Sequence, residues 1–191
     1  MATFLAHECL RAAPWKNGGG STMEIAVFPL EAGLMAFDWR ISLATITADG
    51  PFSSFPGIDR SLMLVDGDSV QLTLDGARKV VLSAAQPMLW FPGEAAVHAQ
   101  VKGVTTDFNV MTRRDRCRHQ LEKITAPARL VRRSGMTLLF VAGDGAVLAR
   151  GGEQQFALAR HDALLLDADD AQEWRLEALQ RSAVLRVDLF T

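Results

Sequence analysis

The 191-residue chain has only two cysteines, no tyrosine and no long uninterrupted hydrophobic run. Cys9 and Cys117 are too few for a disulfide framework, which predicts free thiols in a reducing cytoplasm. No segment approaches the roughly 18 consecutive apolar residues that a membrane-spanning helix needs. The first eight residues include a Glu and no basic region, so we expect no signal peptide. We therefore predict a cytoplasmic protein with no membrane partner.

The chain also lacks an excess of charge of either sign and a cluster of metal ligands. The net charge is −2, which gives no electrostatic reason to expect a nucleic-acid partner. None of the four histidines lies within five residues of another, whereas a metal-binding motif usually brings two ligands close together in sequence. We expect no metal and no other cofactor.

What the chain does contain is a series of short, alternating apolar segments separated by Gly, Pro, Asp and Ser. This pattern is typical of an all-β fold. The Asp-Gly-Asp sequence at 66–68 predicts a hairpin turn. Residues 113–127 have little strand character and predict a connection, with a short helix near 119–124. Residues 168–180 are compatible with a strand or a helix, and we favour a strand.

The apolar and turn pattern of residues 62–68 returns at residues 138–144, and the same spacing continues for about 30 residues. A fixed spacing predicts two copies of one β unit. Each copy has the size of a small β-barrel or jelly roll. We place the two units at 1–115 and 116–191.

Two glycine- and proline-rich loops hold much of the polar chemistry of the first unit. Residues 14–22, PWKNGGGST, place Lys16 and Asn17 beside three glycines. Because the lysine precedes the glycines and a strand follows, this is not a phosphate-binding loop. It is either a ligand-binding loop or a plain flexible turn. Residues 50–60, GPFSSFPGIDR, end in Asp59 and Arg60, which either bind a ligand carboxylate or contact each other.

Two predicted strands each carry a polar face. Arg40 and Ser42 share one face of residues 37–47, opposite Trp39 and Ile41. If this face is interior, Arg40 is a buried cation that needs an anionic partner, which a ligand carboxylate, Asp107 or Glu24 could provide. If the face is exterior, Arg40 is solvated.

The same question applies to residues 104–112, where Asp107, Asn109 and Met111 share a face. The basic segment 113–118 is either an anion or partner site or a solvated surface.

Several of these motifs together resemble the HutD/Ves family. The resemblance rests on residues 14–22, 24–26, 39–42 (WRIS), 50–60, 91–93 and 107–111. It implies a bicupin fold, in which two cupin-like β-barrels are fused in one chain. It also implies a non-enzymatic role beside histidine catabolism, with a pathway carboxylate such as urocanate or N-formylglutamate as ligand.

On this basis we expect a small-carboxylate binding protein that modulates histidine utilisation, with its site in the first unit and a structural second unit. The expected ligand-binding residues are Lys16, Asn17, Arg40, Ser42, Arg60, Asp107, Asn109 and Met111. Trp15, Trp39 or Phe52 would add apolar walls. The alternatives are a metal-independent isomerase or lyase acting on a small acid, and a protein-interaction module. A homodimer is compatible with exposed sheet edges.

Overall fold

The computed structural model describes all 191 residues and is built almost entirely of β-strands, with one three-residue 3₁₀ helix at His7–Cys9. No helix is long and apolar enough to cross a membrane. The strands are β1 (Thr3–Leu5), β2 (Ala12–Pro14), β3 (Gly20–Phe28), β4 (Trp39–Ile46), β5 (Gly50–Pro51), β6 (Ile58–Asp66), β7 (Ser69–Leu74), β8 (Arg78–Ser83), β9 (Met88–Pro92), β10 (Val97–Val101), β11 (Thr105–Arg113), β12 (Arg118–Ala126), β13 (Ala128–Val131), β14 (Met136–Val141), β15 (Val147–Gly151), β16 (Gln154–Leu158), β17 (Ala163–Leu166), β18 (Glu173–Glu177) and β19 (Ser182–Phe190). The predicted all-β class is confirmed.

The chain forms two compact units. The N-terminal unit is Arg11–Cys117, and the C-terminal unit combines Arg118–Thr191 with Met1–Leu10. The first residues join the C-terminal unit because β1 pairs antiparallel with β17. The division expected from the sequence, 1–115 and 116–191, instead keeps these residues with the first unit.

Each unit contains two antiparallel sheets, and the two units share most of their strand order. The N-terminal unit has sheets β2-β3-β4-β11-β6-β9 and β5-β10-β7-β8. The C-terminal unit has sheets β1-β17-β14-β19-β12 and β13-β18-β15-β16. The order β4-β11-β6-β9 therefore corresponds to β12-β19-β14-β17, as expected for a repeated unit. No sheet closes on itself, so the closure of each unit into a barrel stays a prediction.

Three local expectations are settled by strand pairing. Residues 119–124 are not helical, because β12 pairs with β19 over nine residues. Its polar side chains fit a strand at the edge of a sheet, where one face stays exposed. The ambiguous segment forms β18, a strand. The turn at 66–68 does not make a hairpin, because β6 and β7 lie in different sheets.

The apolar core of the N-terminal unit lies between its two sheets. Strand β7 alternates strictly between half-buried and buried residues, which is the period-2 pattern of a strand with one face inward. The buried residues come from both sheets and are Ile46, Leu62, Val70, Leu72, Leu74, Leu82, Leu89, Phe91, Val97 and Ala99. Trp15 and Phe52 pack against this core.

Candidate functional site

The candidate site lies on the inner face of the three central strands β4, β11 and β6. Met111 is flanked by Arg40 on β4 and Arg60 on β6. Two residues along, Asn109 is flanked by Ser42 and Leu62. Leu62 belongs to the core between the sheets, and alternate residues of a strand share a face. The polar face of these strands is therefore interior.

Arg60 is the central group of this site. It is only 6% exposed, and no carboxylate forms an ion pair with it. Its guanidinium carbon lies 5.5 Å from the ring centroids of both Phe52 and Phe55 and 4.9 Å from that of Phe91. Loss of hydration on burial, together with the smaller effect of the Arg40 charge, lowers the pKa of Arg60 to about 10.

The hydrogen bonds that Arg60 does make are long. One Nη donates to Asn109 Oδ1 and the other to the carbonyl of Ser53, both at 3.4 Å. An arginine has five N–H donors, and its Nε has no partner. The aromatic rings stabilise the positive charge through cation–π contacts, but they do not neutralise it.

Arg40, in contrast, has an acidic partner within the protein. Its Nε donates to Glu24 Oε2 at 2.7 Å. Glu24 lies opposite Ser42 on β3, and its side chain is 42% exposed. Of the partners considered from the sequence, Glu24 is the one that the structure brings to Arg40. Arg40 and Arg60 therefore have one carboxylate partner between them, Glu24, which leaves an excess positive charge in the interior.

Asp107 is a second buried group without a partner. It is fully buried, and neither carboxylate oxygen accepts a hydrogen bond. Burial raises the pKa of Asp107 to about 7, because the charged form loses its hydration. The hydroxyl groups of Ser42 and Thr105, on the same face of the sheet, also have no partner. Unpartnered buried polar groups are uncommon, and several occur here together.

Met111 lies on the same face of β11 as Asp107 and Asn109, at the end farthest from Asp107. It packs with Phe37 and Ile58, and Phe55 lies against the same group. Arg60 is thus held between this small cluster and Phe91 of the main core.

Lys16 and Asn17 do not join this group. Both are exposed in the turn before β3, and neither side chain hydrogen-bonds to another predicted site residue. Asn17 Oδ1 accepts from the Gly19 N–H at 3.1 Å, a local bond that stabilises the turn. A Cβ at Gly20 would approach the Thr45 carbonyl oxygen to 2.3 Å. The turn therefore has structural reasons for its asparagine and for at least this glycine.

Asp59 and Arg60 do not contact each other, because neighbouring residues of a strand point to opposite faces. Asp59 accepts instead from Arg114 at 2.8 Å. Arg114 also donates to both carboxylate oxygens of Glu94, and Arg116 pairs with Asp38. These contacts balance the charge of the basic segment locally.

A surface cavity of about 460 Å³ lies beside this segment. It is lined by Gly57, Arg113, Arg114 and Asp115 and includes none of the predicted site residues. The interior around Arg60 is instead lined by side chains packed against it.

The three phenylalanine rings around Arg60, Phe52, Phe55 and Phe91, form an aromatic cage. The sequence did not predict Phe55 and Phe91 at this place, and it wrongly predicted Trp39 as a wall of the site. Phe55 and Phe91 come from a loop and an edge strand, and only the alternation of residues 88–92 could have indicated an inward Phe91. Trp39 is on the face of β4 opposite to Arg40 and stacks on Phe28. It therefore does not line the polar face. Trp15 and Phe52 do pack against the interior core.

The C-terminal unit also has a buried polar group, on β19, the strand that corresponds to β11, and its charges are paired. Arg186 on β19 lies opposite Leu139 on β14 and Glu122 on β12. Its guanidinium pairs with Asp188 at 2.9 Å and with Glu122 at 3.7 Å. Asp188 also accepts from Thr137 at 2.8 Å. This buried arginine has two carboxylates, whereas Arg60 has none.

No group of three or more His, Cys, Asp and Glu side chains is arranged to hold a metal ion. Three features therefore define the N-terminal site. Arg40 is paired with an acidic residue and Arg60 is not, Asp107 is a buried carboxyl group with a pKa near 7, and aromatic rings surround Arg60.

An all-β, repeated architecture of this kind is cupin-like. A cupin barrel domain protein from Leptotrichia buccalis aligns with a TM-score of 0.59 over 87% of this chain and 86% of its own, at 11% identity. That similarity concerns the fold alone.

The chain belongs to the HutD family, whose model matches residues 7–185. It is 34% identical over 163 residues to an uncharacterised 21.2 kDa protein in the hutC 3′ region of Pseudomonas putida, covering 82% of each chain. It is also 41% identical over 109 residues to the protein Ves of Cronobacter sakazakii, which covers 56% of this chain and 58% of Ves.

Two solved structures are similar along the whole chain. A conserved protein of unknown function from Pseudomonas aeruginosa has a TM-score of 0.91 at 33% identity, with both chains fully covered. HutD from Pseudomonas fluorescens, in a formate condition, has a TM-score of 0.84 at 28% identity and covers 100% of this chain and 98% of its own. The predicted family is thus confirmed.

Proposed function

We propose that the N-terminal unit binds a small carboxylate on Arg60, and that the protein acts in histidine utilisation as a non-catalytic binding protein. The observation that carries this proposal is a buried guanidinium without an acidic partner. A buried charge is costly unless it is paired. An anionic ligand supplies the missing partner.

A carboxylate suits this position in both charge and shape. The planar guanidinium can donate two parallel hydrogen bonds to one carboxylate, and Arg60 uses only long bonds at present. The aromatic rings exclude water and so strengthen the electrostatic attraction. Asn109, which already contacts the guanidinium, can fix the orientation of the ligand through its amide group.

The paired network of the C-terminal unit supports the same assignment. There, Asp188 and Glu122 are the carboxylates that face the buried Arg186. In the N-terminal unit no residue takes this role for Arg60, and we infer that a ligand does. The C-terminal unit is then a structural unit.

The loop at 52–57 is the expected route of entry. It connects β5 to β6 and carries Phe52 and Phe55 onto the guanidinium. Ser53 and Ser54 of this loop are exposed. Because Arg60 is almost fully buried, this loop must move outward to admit a ligand. Lys16 and Asn17 lie outside the interior group and contribute at most during entry.

The names of the relatives direct the choice of ligand. One relative lies in the hutC 3′ region, and another is HutD in a formate condition, formate being the smallest carboxylate. Urocanate and N-formylglutamate, both carboxylates of histidine breakdown, are our candidate ligands.

Titration calorimetry tests this proposal. Wild-type protein should bind at least one of urocanate and N-formylglutamate, and Arg60→Met should weaken that binding by about 2–5 kcal/mol, or thirtyfold and more. Arg78→Met, which removes an exposed arginine of the same unit, is the matched control and should bind as wild type does. Absence of heat for both compounds at millimolar concentration, or equal binding by Arg60→Met, would contradict the proposal.

A second candidate function is a metal-independent isomerase or lyase, which the pKa of Asp107 near 7 favours. A carboxyl group with such a pKa can act as a general acid or base at neutral pH. Its cross-strand neighbours, however, are Ala44 and Leu64, neither of which has a titratable side chain. Steady-state turnover of the two candidate ligands by wild type, abolished in Asp107→Asn, would favour the enzyme over the binding protein.

A further inference from the structure

We infer that Asp107 is a specificity-determining residue that accepts a hydrogen bond from an N–H group at the end of the ligand remote from its carboxylate. This inference rests on the proposed function, because it takes Arg60 as the carboxylate anchor. It narrows the ligand class from small carboxylates to carboxylates that also carry an N–H group.

The position of Asp107 follows from the strand. Met111, Asn109 and Asp107 are alternate residues of β11 and share its interior face. Alternate residues of a strand are about 6.7 Å apart. The Arg60 guanidinium contacts Asn109, so Asp107 lies about one such step farther along the same face. A ligand of five or six heavy atoms in line spans that distance.

The side chains directly opposite Asp107 on the neighbouring strands provide no hydrogen-bond donor. Its cross-strand neighbours are Ala44 on β4 and Leu64 on β6, neither of which has a polar side chain. Both carboxylate oxygens are buried without a hydrogen bond. A buried carboxyl group without a hydrogen bond lowers the stability of the folded state. We therefore expect Asp107 to have a function that compensates for this cost.

The chemistry of the missing partner is that of a donor. An ionised carboxylate only accepts hydrogen bonds, and an N–H group of an imidazole, an amide or an ammonium ion donates one. Because the pKa of Asp107 is near 7, the carboxylate form is accessible at neutral pH, and a donor stabilises it further. A ligand with a second carboxylate at this end would repel it. Urocanate meets both conditions. N-formylglutamate has an amide N–H but carries a second carboxylate beside it, so the inference favours urocanate.

Two planar probes of similar size test the inference by calorimetry at pH 7.5. trans-Urocanate has a ring N–H, and 3-(2-furyl)acrylate has a five-membered aromatic ring without an N–H and keeps the acrylate carboxylate. We expect wild type to bind urocanate about tenfold or more tightly than furylacrylate, the range of one hydrogen bond to a charged group. Asp107→Leu, which is of similar size and has no acceptor, should bring the two affinities within threefold of each other. Arg60→Met should weaken both.

The outcomes separate the two proposals. If wild type binds both probes equally well and Arg60→Met weakens both, the role of Asp107 is refuted and the carboxylate site stands. If Asp107→Leu keeps the full preference for urocanate, the role of Asp107 is again refuted. If wild type binds neither probe, this inference fails, and the proposed function fails with it when N-formylglutamate gives no heat either. The comparison of probes in wild type needs no variant, so it remains decisive even if Asp107→Leu does not fold.

Discussion

The buried carboxyl group of Asp107 should impose a pH-dependent cost on the folded state, and Asp107→Asn should remove it. Burial raises the pKa of Asp107 from 3.8 to about 7. Between these two values the folded protein holds a proton that the unfolded chain has released. The folded state therefore binds more protons, and its stability falls as the pH rises through this range. Above pH 7 the cost is complete and constant.

The size of this cost follows from the difference between the two pKa values. That difference is about three pH units, and each corresponds to about 1.4 kcal/mol. The full cost is therefore on the order of 4 kcal/mol, of which about 2–3 kcal/mol develops between pH 5 and pH 8.5. Asparagine has the same size and no charge, so this part of the pH dependence should disappear.

Urea denaturation of the ligand-free protein at pH 5 and pH 8.5 measures the effect. The free energy of unfolding of Asp107→Asn minus that of wild type should rise by about 2–3 kcal/mol between the two pH values. Asp68→Asn, at an exposed aspartate in the turn between β6 and β7, is the control and should show no such rise. A difference that is the same at both pH values would refute a buried, unpartnered Asp107.

Three further predictions concern ligand-free stability. Arg60→Met should leave the free energy of unfolding unchanged or raise it by up to about 2 kcal/mol, because it removes an unpaired buried charge. Asp188→Asn should lower it by about 3 kcal/mol, because it breaks a buried pair with Arg186. Gly20→Ala should lower it by about 2 kcal/mol or more, since the new Cβ would clash with a backbone carbonyl.

Each of these has its own check in the same denaturation assay. Gly33→Ala is the control for Gly20, because a Cβ at Gly33 meets nothing within 4 Å. Arg60→Met and Asp188→Asn control each other, since each removes a buried charge from one of the two units and the expected signs are opposite. Strong destabilisation by Arg60→Met, or none by Asp188→Asn, would show that the contrast between an unpaired and a paired arginine is wrong.

The fold was largely predictable where each strand shows its own alternation. Strands β4 and β11 were predicted with the correct division into polar and apolar faces. Strand β12 was missed because it is polar along much of its length and lies at a sheet edge, where pairing with β19 stabilises it. The turn at 66–68 was misread because which strands pair is decided by contacts distant in sequence.

The site was predictable in part for the same reason. Alternation placed Arg40 and Ser42 on one face. Glu24, which is the partner of Arg40 in the structure, was one of the three partners considered from the sequence. Which face is interior could not be read from one strand, since both faces of β4 are largely buried. The cage around Arg60 combines rings from two separate segments, and Asn17 makes a local bond that a ligand-binding interpretation did not anticipate.

The central claim is that Arg60 receives a carboxylate inside the N-terminal unit. A crystal structure of the protein grown with urocanate tests it most directly. We predict that both carboxylate oxygens of the ligand lie within about 3 Å of the Arg60 guanidinium nitrogens, with the loop at 52–57 closed over them. A ligand bound elsewhere, with the three phenylalanine rings still packed around an unoccupied Arg60, would contradict the account.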